Sequence, residues 1–224
     1  MRRTLSVFVI AIATFFGTQA FSGDFGLIKD KQIQIFQKTK KKANQGIVEE
    51  QYLLGILYLN GEGVPQDYEK AFKWLHAAGK QGMAAAQTWL GEMYYNGKGV
   101  SQDYDEAAKW FHKGAKQGDI AAQTWLGEMY HSGKGVSQDY DEAARLFRKG
   151  AKQGKGSAQF YLGEMYFDGK GVPQDYDEAY FWLNLAVASG MDYISEVRDR
   201  AAEKLTRKTL EKVQKRTRKW QPQK

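Results

Sequence analysis

The sequence predicts an all-α fold, an α-solenoid of about four 36-residue helical hairpins closed by capping helices at its N- and C-terminal ends. Three observations predict it. First, the chain repeats on itself in a register of 36, without slippage: Leu54, Leu90, Leu126 and Leu162; Tyr58, Tyr94, Tyr130 and Tyr166; Gly61, Gly97, Gly133 and Gly169. Periods of this size mark arrays in which no unit buries its own apolar face and each stacks on its neighbours. Second, each unit holds two stretches of helical periodicity. In "AAQTWLGEMYYNGKGVSQDYDEAAKWFHKGAKQGD", Ala86, Leu90 and Tyr94 are spaced by four, and Tyr104, Ala107, Ala108, Phe111 and Ala115 keep to one helical face. Third, the stretches are separated by turns, "GKGVSQDY" and its variants within a unit and "KQG" between units.

In chain order, residues 1–22 have the layout of a secretory signal peptide. Arg2 and Arg3 precede an apolar run from Leu5 to Phe16, and small residues follow near Ala20 and Ser22. The run falls short of the ~20 residues needed to span a bilayer. Residues 23–46 read as a preceding half-unit, Phe36 standing in register with Phe72 and Gln45-Gly46 with Gln81-Gly82. The four units follow at 47–82, 83–118, 119–154 and 155–190. In each first helix a glycine (Gly55, Gly91, Gly127, Gly163) costs about 1 kcal/mol against alanine, which predicts close contact with a neighbouring helix. Each second helix starts at an aspartate followed three residues later by glutamate: Asp103 with Glu106, Asp139 with Glu142, Asp175 with Glu178. That spacing predicts reciprocal capping boxes, incomplete in the first unit, where Lys70 replaces the glutamate. Gly82, Gly118 and Gly154 suit left-handed helix ends. Residues 191–224 are read as basic capping helices. Thr206 is placed to cap the last one, Leu205 and Leu210 to staple it, and Leu210, Val213 and Trp220 to share one face.

The unit resembles the Sel1-like repeat: Ala, Leu-Gly, Tyr, Gly-x-Gly-Val, Asp-Tyr and Ala-x-x-Trp recur from about Gly46 to Gly190. The departures, such as Leu146 where Trp74, Trp110 and Trp182 stand in the other units, read as packing variation. The resemblance implies a right-handed superhelix related to tetratricopeptide repeats, and a role as an adaptor in protein complexes. It also implies that the first helices line a concave groove. Carried over by register from the Leu-Gly pair, the groove positions are Tyr52, Leu53, Ile56, Leu59 and Asn60; Thr88, Trp89, Glu92, Tyr95 and Asn96; Thr124, Trp125, Glu128, His131 and Ser132; Phe160, Tyr161, Glu164, Phe167 and Asp168. Of these, Tyr52, Thr88, Trp89, Glu92, Tyr95, Asn96, Thr124, Trp125, Glu128, His131, Tyr161, Glu164 and Phe167 are the candidate partner-binding residues. They form an aromatic row with a ladder of glutamates. Aromatics are favoured at interface hot spots, and the glutamates suit a protein or peptide bearing Lys or Arg.

Catalysis finds little support. His76 and His112 share one repeat position that Arg148 and Asn184 take in the later units, as expected of a surface site on the second helix. "DYDE" recurs with a capping role, so it does not read as a calcium site or a catalytic carboxylate pair. The glycine loop lacks the spacing and the preceding strand of a phosphate cradle. No catalytic residues, cofactor or metal are expected. Cysteine is absent, which removes disulfides, thiolate ligands and a lipid-modified N-terminal cysteine together. With the leader, this points to a soluble protein of the Gram-negative periplasm, or, second, to one released outside the cell. The net charge of +7 is uneven: residues 46–197 are acidic at −7, whereas 24–45 carry +4 and 198–224 carry +8. A secreted chain is not expected to meet nucleic acid. The basic C-terminal helix instead suggests an alternative, attachment to an anionic envelope surface of lipid or peptidoglycan; an enzyme acting on cell wall is a weaker third reading.

Overall fold

A computed structural model describes residues 21–223; the leader expected at 1–22 lies almost wholly outside the described residues. Among the described residues there are eleven α-helices and no strand: α1 (Phe21–Ala43), α2 (Val48–Asn60), α3 (Tyr68–Lys80), α4 (Ala84–Asn96), α5 (Tyr104–Lys116), α6 (Ile120–Ser132), α7 (Tyr140–Lys152), α8 (Gly156–Asp168), α9 (Tyr176–Ala188), α10 (Ser195–Ala202) and α11 (Arg207–Lys219). A 3-10 turn, Asp192–Ile194, precedes α10. The helices alternate as the repeated hairpins of a solenoid, and the chain divides into two compact units at Ala77/Ala78.

Each hairpin is closed by the same short-range bonds. The first helix ends on a left-handed glycine, Gly97, Gly133 or Gly169, whose N–H bonds the carbonyl four residues back. The amides of Asp103, Asp139 and Asp175 then donate to the carbonyls of Tyr94, Tyr130 and Tyr166, each at 3.0 Å. Those aspartates cap the second helix: the backbone N–H groups of Glu106, Glu142 and Glu178 donate to their carboxylates at 2.9–3.0 Å. The expected reciprocal box is not made, because the aspartate N–H is already taken by the tyrosine carbonyl. The glutamates turn outward to Lys109, Arg145 and Arg216. In the first hairpin Lys70 does as well as glutamate, its own N–H donating to Asp67 at 2.9 Å and its ammonium pairing with the same carboxylate.

The helix glycines have the predicted cause. A Cβ on Gly91 or Gly127 would overlap the ring of Phe111 or Phe147, which is fully buried on the facing second helix. In the loops, Gly135 and Gly171 have φ of +67° and +65°, and a Cβ there would run into the carbonyl of Tyr104 or Tyr140 at the start of the preceding unit's second helix. The glycine loop is therefore a joint between units as well as a turn within one.

In the first compact unit, α1 stands where a second helix would stand. Phe36 meets Tyr58 edge to face at 5.5 Å, Gly63 abuts the Gln32 carbonyl as Gly135 abuts that of Tyr104, and Gln51 donates to the Ala43 carbonyl at 3.4 Å. In the second, buried Gln87, Gln123 and Gln159 donate to Gly79, Ala115 and Ala151 at 3.1–3.3 Å, tying each first helix to the end of the helix before it. The C-terminal end of this unit is an apolar cluster, where Leu162, Phe181, Trp182, Leu183, Ile194, Ala201 and Val213 are buried together and Leu205, Leu210 and Trp220 pack against them. Thr206 caps α11 through the amide of Thr209 at 3.2 Å. Trp220 lies just beyond the helix in extended backbone yet reaches Trp182 at 6.4 Å, and the Gln223 amide donates to the Lys152 carbonyl at 2.8 Å.

Candidate functional site

The positions expected to line the groove separate into three groups. Thr88 and Thr124 are corrected from the candidate list: both are buried, 5% and 6% exposed. Glycine on the facing second helix lets the backbones close over them, Gly114 on Thr88 and Gly150 on Thr124. Their hydroxyls are satisfied by the Ala84 and Ile120 carbonyls at 3.1 and 2.8 Å, and that of Thr88 also lies 3.0 Å from the Asp119 carboxylate. Leu59, five places after its unit's leucine, is likewise buried. Tyr52 is half-buried in the first compact unit. Asn96 is exposed and closes α4 by donating to the Glu92 carbonyl at 2.8 Å.

The remaining candidate residues of the second compact unit, Trp89, Glu92, Tyr95, Trp125, Glu128, His131, Tyr161, Glu164 and Phe167, are half-buried, and from Tyr95 onward the rings form a row with a repeating plan. The ring five places after the leucine touches two rings: the tyrosine that opens its own unit's second helix and the ring before the next unit's leucine. Tyr95 meets Tyr104 at 5.1 Å and Trp125 at 5.2 Å, and Trp125 lies flat on Phe111 at 5.7 Å. One unit on, His131 meets Tyr140 at 5.3 Å and Tyr161 at 6.1 Å, and Tyr161 lies flat on Phe147 at 4.8 Å. Phe167 meets Tyr176 at 5.4 Å. Among the described residues α10 follows in place of a further unit, and its Arg200 guanidinium covers the Phe167 face at 5.2 Å.

The row's electrostatics follow from this packing. Burial pushes the Glu128 carboxyl above the ordinary carboxylate range, although it accepts a hydrogen bond from the Tyr161 hydroxyl and lies near Lys134. Burial likewise raises Glu164, with Asp168 adding to it, and raises the Tyr161 phenol, with Glu128 contributing. His131 is held below its ordinary value by burial first and by Lys170 second. Two loop lysines, read from the sequence only as parts of a turn, reach over the rings. Lys134 lies 5.5 Å from both the Tyr95 and Tyr104 rings and donates to the Tyr95 hydroxyl at 3.4 Å; Lys170 lies 6.0 Å from the Tyr140 ring and pairs with Asp168 at 3.0 Å. The 36-residue register placed a lysine at 98, 134 and 170, and that recurrence was the available signal. Arg200 falls outside the repeats and gave none.

Of the histidines, exposed His112 stands with Nε2 3.3 Å from the Tyr130 hydroxyl, and Arg148, its register partner, donates to the Tyr166 hydroxyl at 3.2 Å. The position is on the surface of the second helix, as expected, and also supports the next unit's tyrosine. His76 stacks on Phe72 at 5.7 Å. Among the described residues no group of three or more His, Cys, Asp or Glu side chains is arranged to hold a metal.

The family profile described as Sel1 repeat matches residues 51–83, 84–119, 120–155 and 156–191. Two solved structures are similar. One is a protective antigen present in uropathogenic Escherichia coli strains and displaying an SLR fold, 36% identical with a TM-score of 0.77 over 83% of this chain and 40% of the antigen. The other is a Sel1 repeat protein from Oxalobacter formigenes, 32% identical with a TM-score of 0.67 over 72% of this chain and 67% of that one. The chain thus spans less than half the length of the antigen. Comparison with curated proteins finds no match.

Proposed function

This chain belongs to the Sel1 repeat family, and from that premise we propose that it is a periplasmic, non-catalytic adaptor that binds a protein segment carrying Lys or Arg along the row of first helices. Sel1 repeat proteins generally mediate protein–protein interaction, and the family is generally a scaffold family. The observation that carries the finer reading is the recurrence of one arrangement in successive units. A flat ring pair, a second-helix tyrosine and a half-buried glutamate return every 36 residues, with cations of the chain itself, Lys134, Lys170 and Arg200, resting on the rings. Rings and carboxylates that attract the chain's own cations suit those of a partner, which gains both cation–π and charge-assisted contacts. The periplasmic part of the proposal rests on the leader pattern of residues 1–22; no described helix is long and apolar enough to cross a membrane.

Photocrosslinking in the native envelope from position 96, at the exposed edge of the row, tests the reading. The expected result is a discrete crosslinked partner that disappears with Glu128→Gln and Glu164→Gln while the circular dichroism spectrum is unchanged. An unchanged crosslink in that folded variant, or recovery of the protein only from the cytoplasm, contradicts it. A second reading, attachment to an anionic envelope surface, uses a different face and is favoured by the exposed basic residues of α11.

A further inference from the structure

Helix α11 is docked by one face and basic on the other. Val213 and Thr217 are buried, 3% and 9% exposed, and Leu210 and Trp220 pack against the same cluster. At 100° per residue, Lys208, Lys212, Lys215 and Lys219 fall within about 60° of one another and directly opposite that face. All four are exposed, and none makes an ion pair with another described residue. The stripe they form is about 16 Å long at 1.5 Å per residue. Two neighbouring charges are already committed: Arg207 pairs with Glu211 at 3.2 Å, and Arg216 lies over the Phe181 ring at 3.7 Å and forks onto Glu178. Docking is held further by Gln214, which donates to the Tyr180 hydroxyl at 3.2 Å, so the stripe projects from a fixed helix.

We infer that this lysine stripe seats the protein on the surface of an anionic phospholipid bilayer. The inference rests on the surface-attachment reading and narrows it to lipid. Four cations in a straight line on an outward helix face meet a plane, and no cleft accompanies them. The stripe carries no ring on which a sugar or base would stack and no amide side chain to read a sugar's hydroxyls. Its charges are ammonium groups, compact point charges without the fork that selects a particular phosphate geometry. A leaflet of anionic headgroups asks for no more than this, and each lysine near such a surface strengthens binding about five-fold. No apolar side chain shares the stripe, so the contact is electrostatic and does not insert.

The test is sedimentation of the full chain with vesicles of phosphatidylglycerol and phosphatidylethanolamine, with vesicles of phosphatidylcholine alone, and with purified peptidoglycan. Binding to the anionic vesicles is expected, released at 1 M salt where the screening length falls to about 3 Å. Replacing all four lysines (K208Q, K212Q, K215Q, K219Q) should weaken it about six-hundred-fold. A control with the same charge loss on the second helices (K109Q, K113Q, K116Q, K149Q) should bind as the parent does. Whatever residues 1–22 contribute is common to all variants and shows on phosphatidylcholine. Equal weakening by both sets overturns the stripe in favour of net charge. Stripe-dependent sedimentation with peptidoglycan in place of vesicles overturns the lipid inference and leaves surface attachment standing, and sedimentation with neither overturns both.

Discussion

The 36-residue register identified equivalent positions, but what a side chain does depends on which neighbour closes over it. Thr88 and Thr124 show this. Their offset from the leucine predicts an exposed groove position, yet Gly114 and Gly150 let the facing helix cover them. His131 carries a prediction at this scale. Its folded pKa is depressed, by burial first and Lys170 second. The neutral form is therefore favoured in the folded state, and the stability this represents is present above the ordinary value of about 6.5 and is lost as pH falls through the lower folded value. His131→Gln should flatten the dependence of the urea midpoint between pH 7 and 5; an unchanged slope would show that the imidazole is not the group responsible. The loop glycines carry a second. Gly135→Ala combines a left-handed φ with a clash against the Tyr104 carbonyl and should cost about 2 to 3 kcal/mol. Gly118→Ala, where a Cβ meets open space, keeps only the φ penalty and should cost about 1 kcal/mol. Equal losses in chemical denaturation would remove the joint between units from the explanation.

At the scale of the element, helix starts, helix ends and the close approach of first and second helices were legible in the sequence, because capping residues and glycines act through the backbone of their own hairpin. The reciprocal capping box was not, because the aspartate amide is spent on a tyrosine carbonyl one helix earlier, and sequence spacing does not show that competition. Nor was the work of Gln102, Gln138 and Gln174, which donate to the carbonyls of Tyr95, His131 and Phe167 at 2.8–2.9 Å and so close the first helices. The one-sided cap gives a measurable asymmetry. Asp139→Ala should cost about 1 kcal/mol, whereas Glu142→Ala, which loses only an exposed pair with Arg145, should cost less than about 0.5 kcal/mol. Comparable losses in the two variants, read from denaturation midpoints, would restore the box.

At the scale of the whole molecule, an array of similar units needs an end that does not expose the face meant for another unit. The 3-10 turn, α10 and α11 supply it. Ile194, Ala201 and Val213 complete the apolar cluster around α9, and Arg200 takes the ring face on Phe167 that the next unit's aromatic would otherwise occupy. Function was legible at this scale as a class, through the family motif, while the site was legible only in part. The aromatic row and the glutamates were placed by register, but Lys134, Lys170 and Arg200 enter it from the loops and from beyond the repeats. The central claim is that half-buried glutamates beside stacked rings receive a partner's cations. The most direct measurement is the affinity, by fluorescence polarisation, of a labelled twelve-residue peptide of alternating Lys and Leu. It is compared for the parent, for Glu128→Gln with Glu164→Gln, and for Asp105→Asn with Asp141→Asn, which removes the same charge from exposed sites in the first turns of the second helices. Loss of two charge-assisted contacts predicts at least about ten-fold weaker binding for the glutamate variant and little change for the aspartate variant. Because burial raises both glutamates above the ordinary 4.5, the parent's affinity should also fall as pH is lowered through that raised range, and the glutamate variant's should not. Equal weakening by the two variants, with the same pH profile, would contradict the claim and reduce the row to packing.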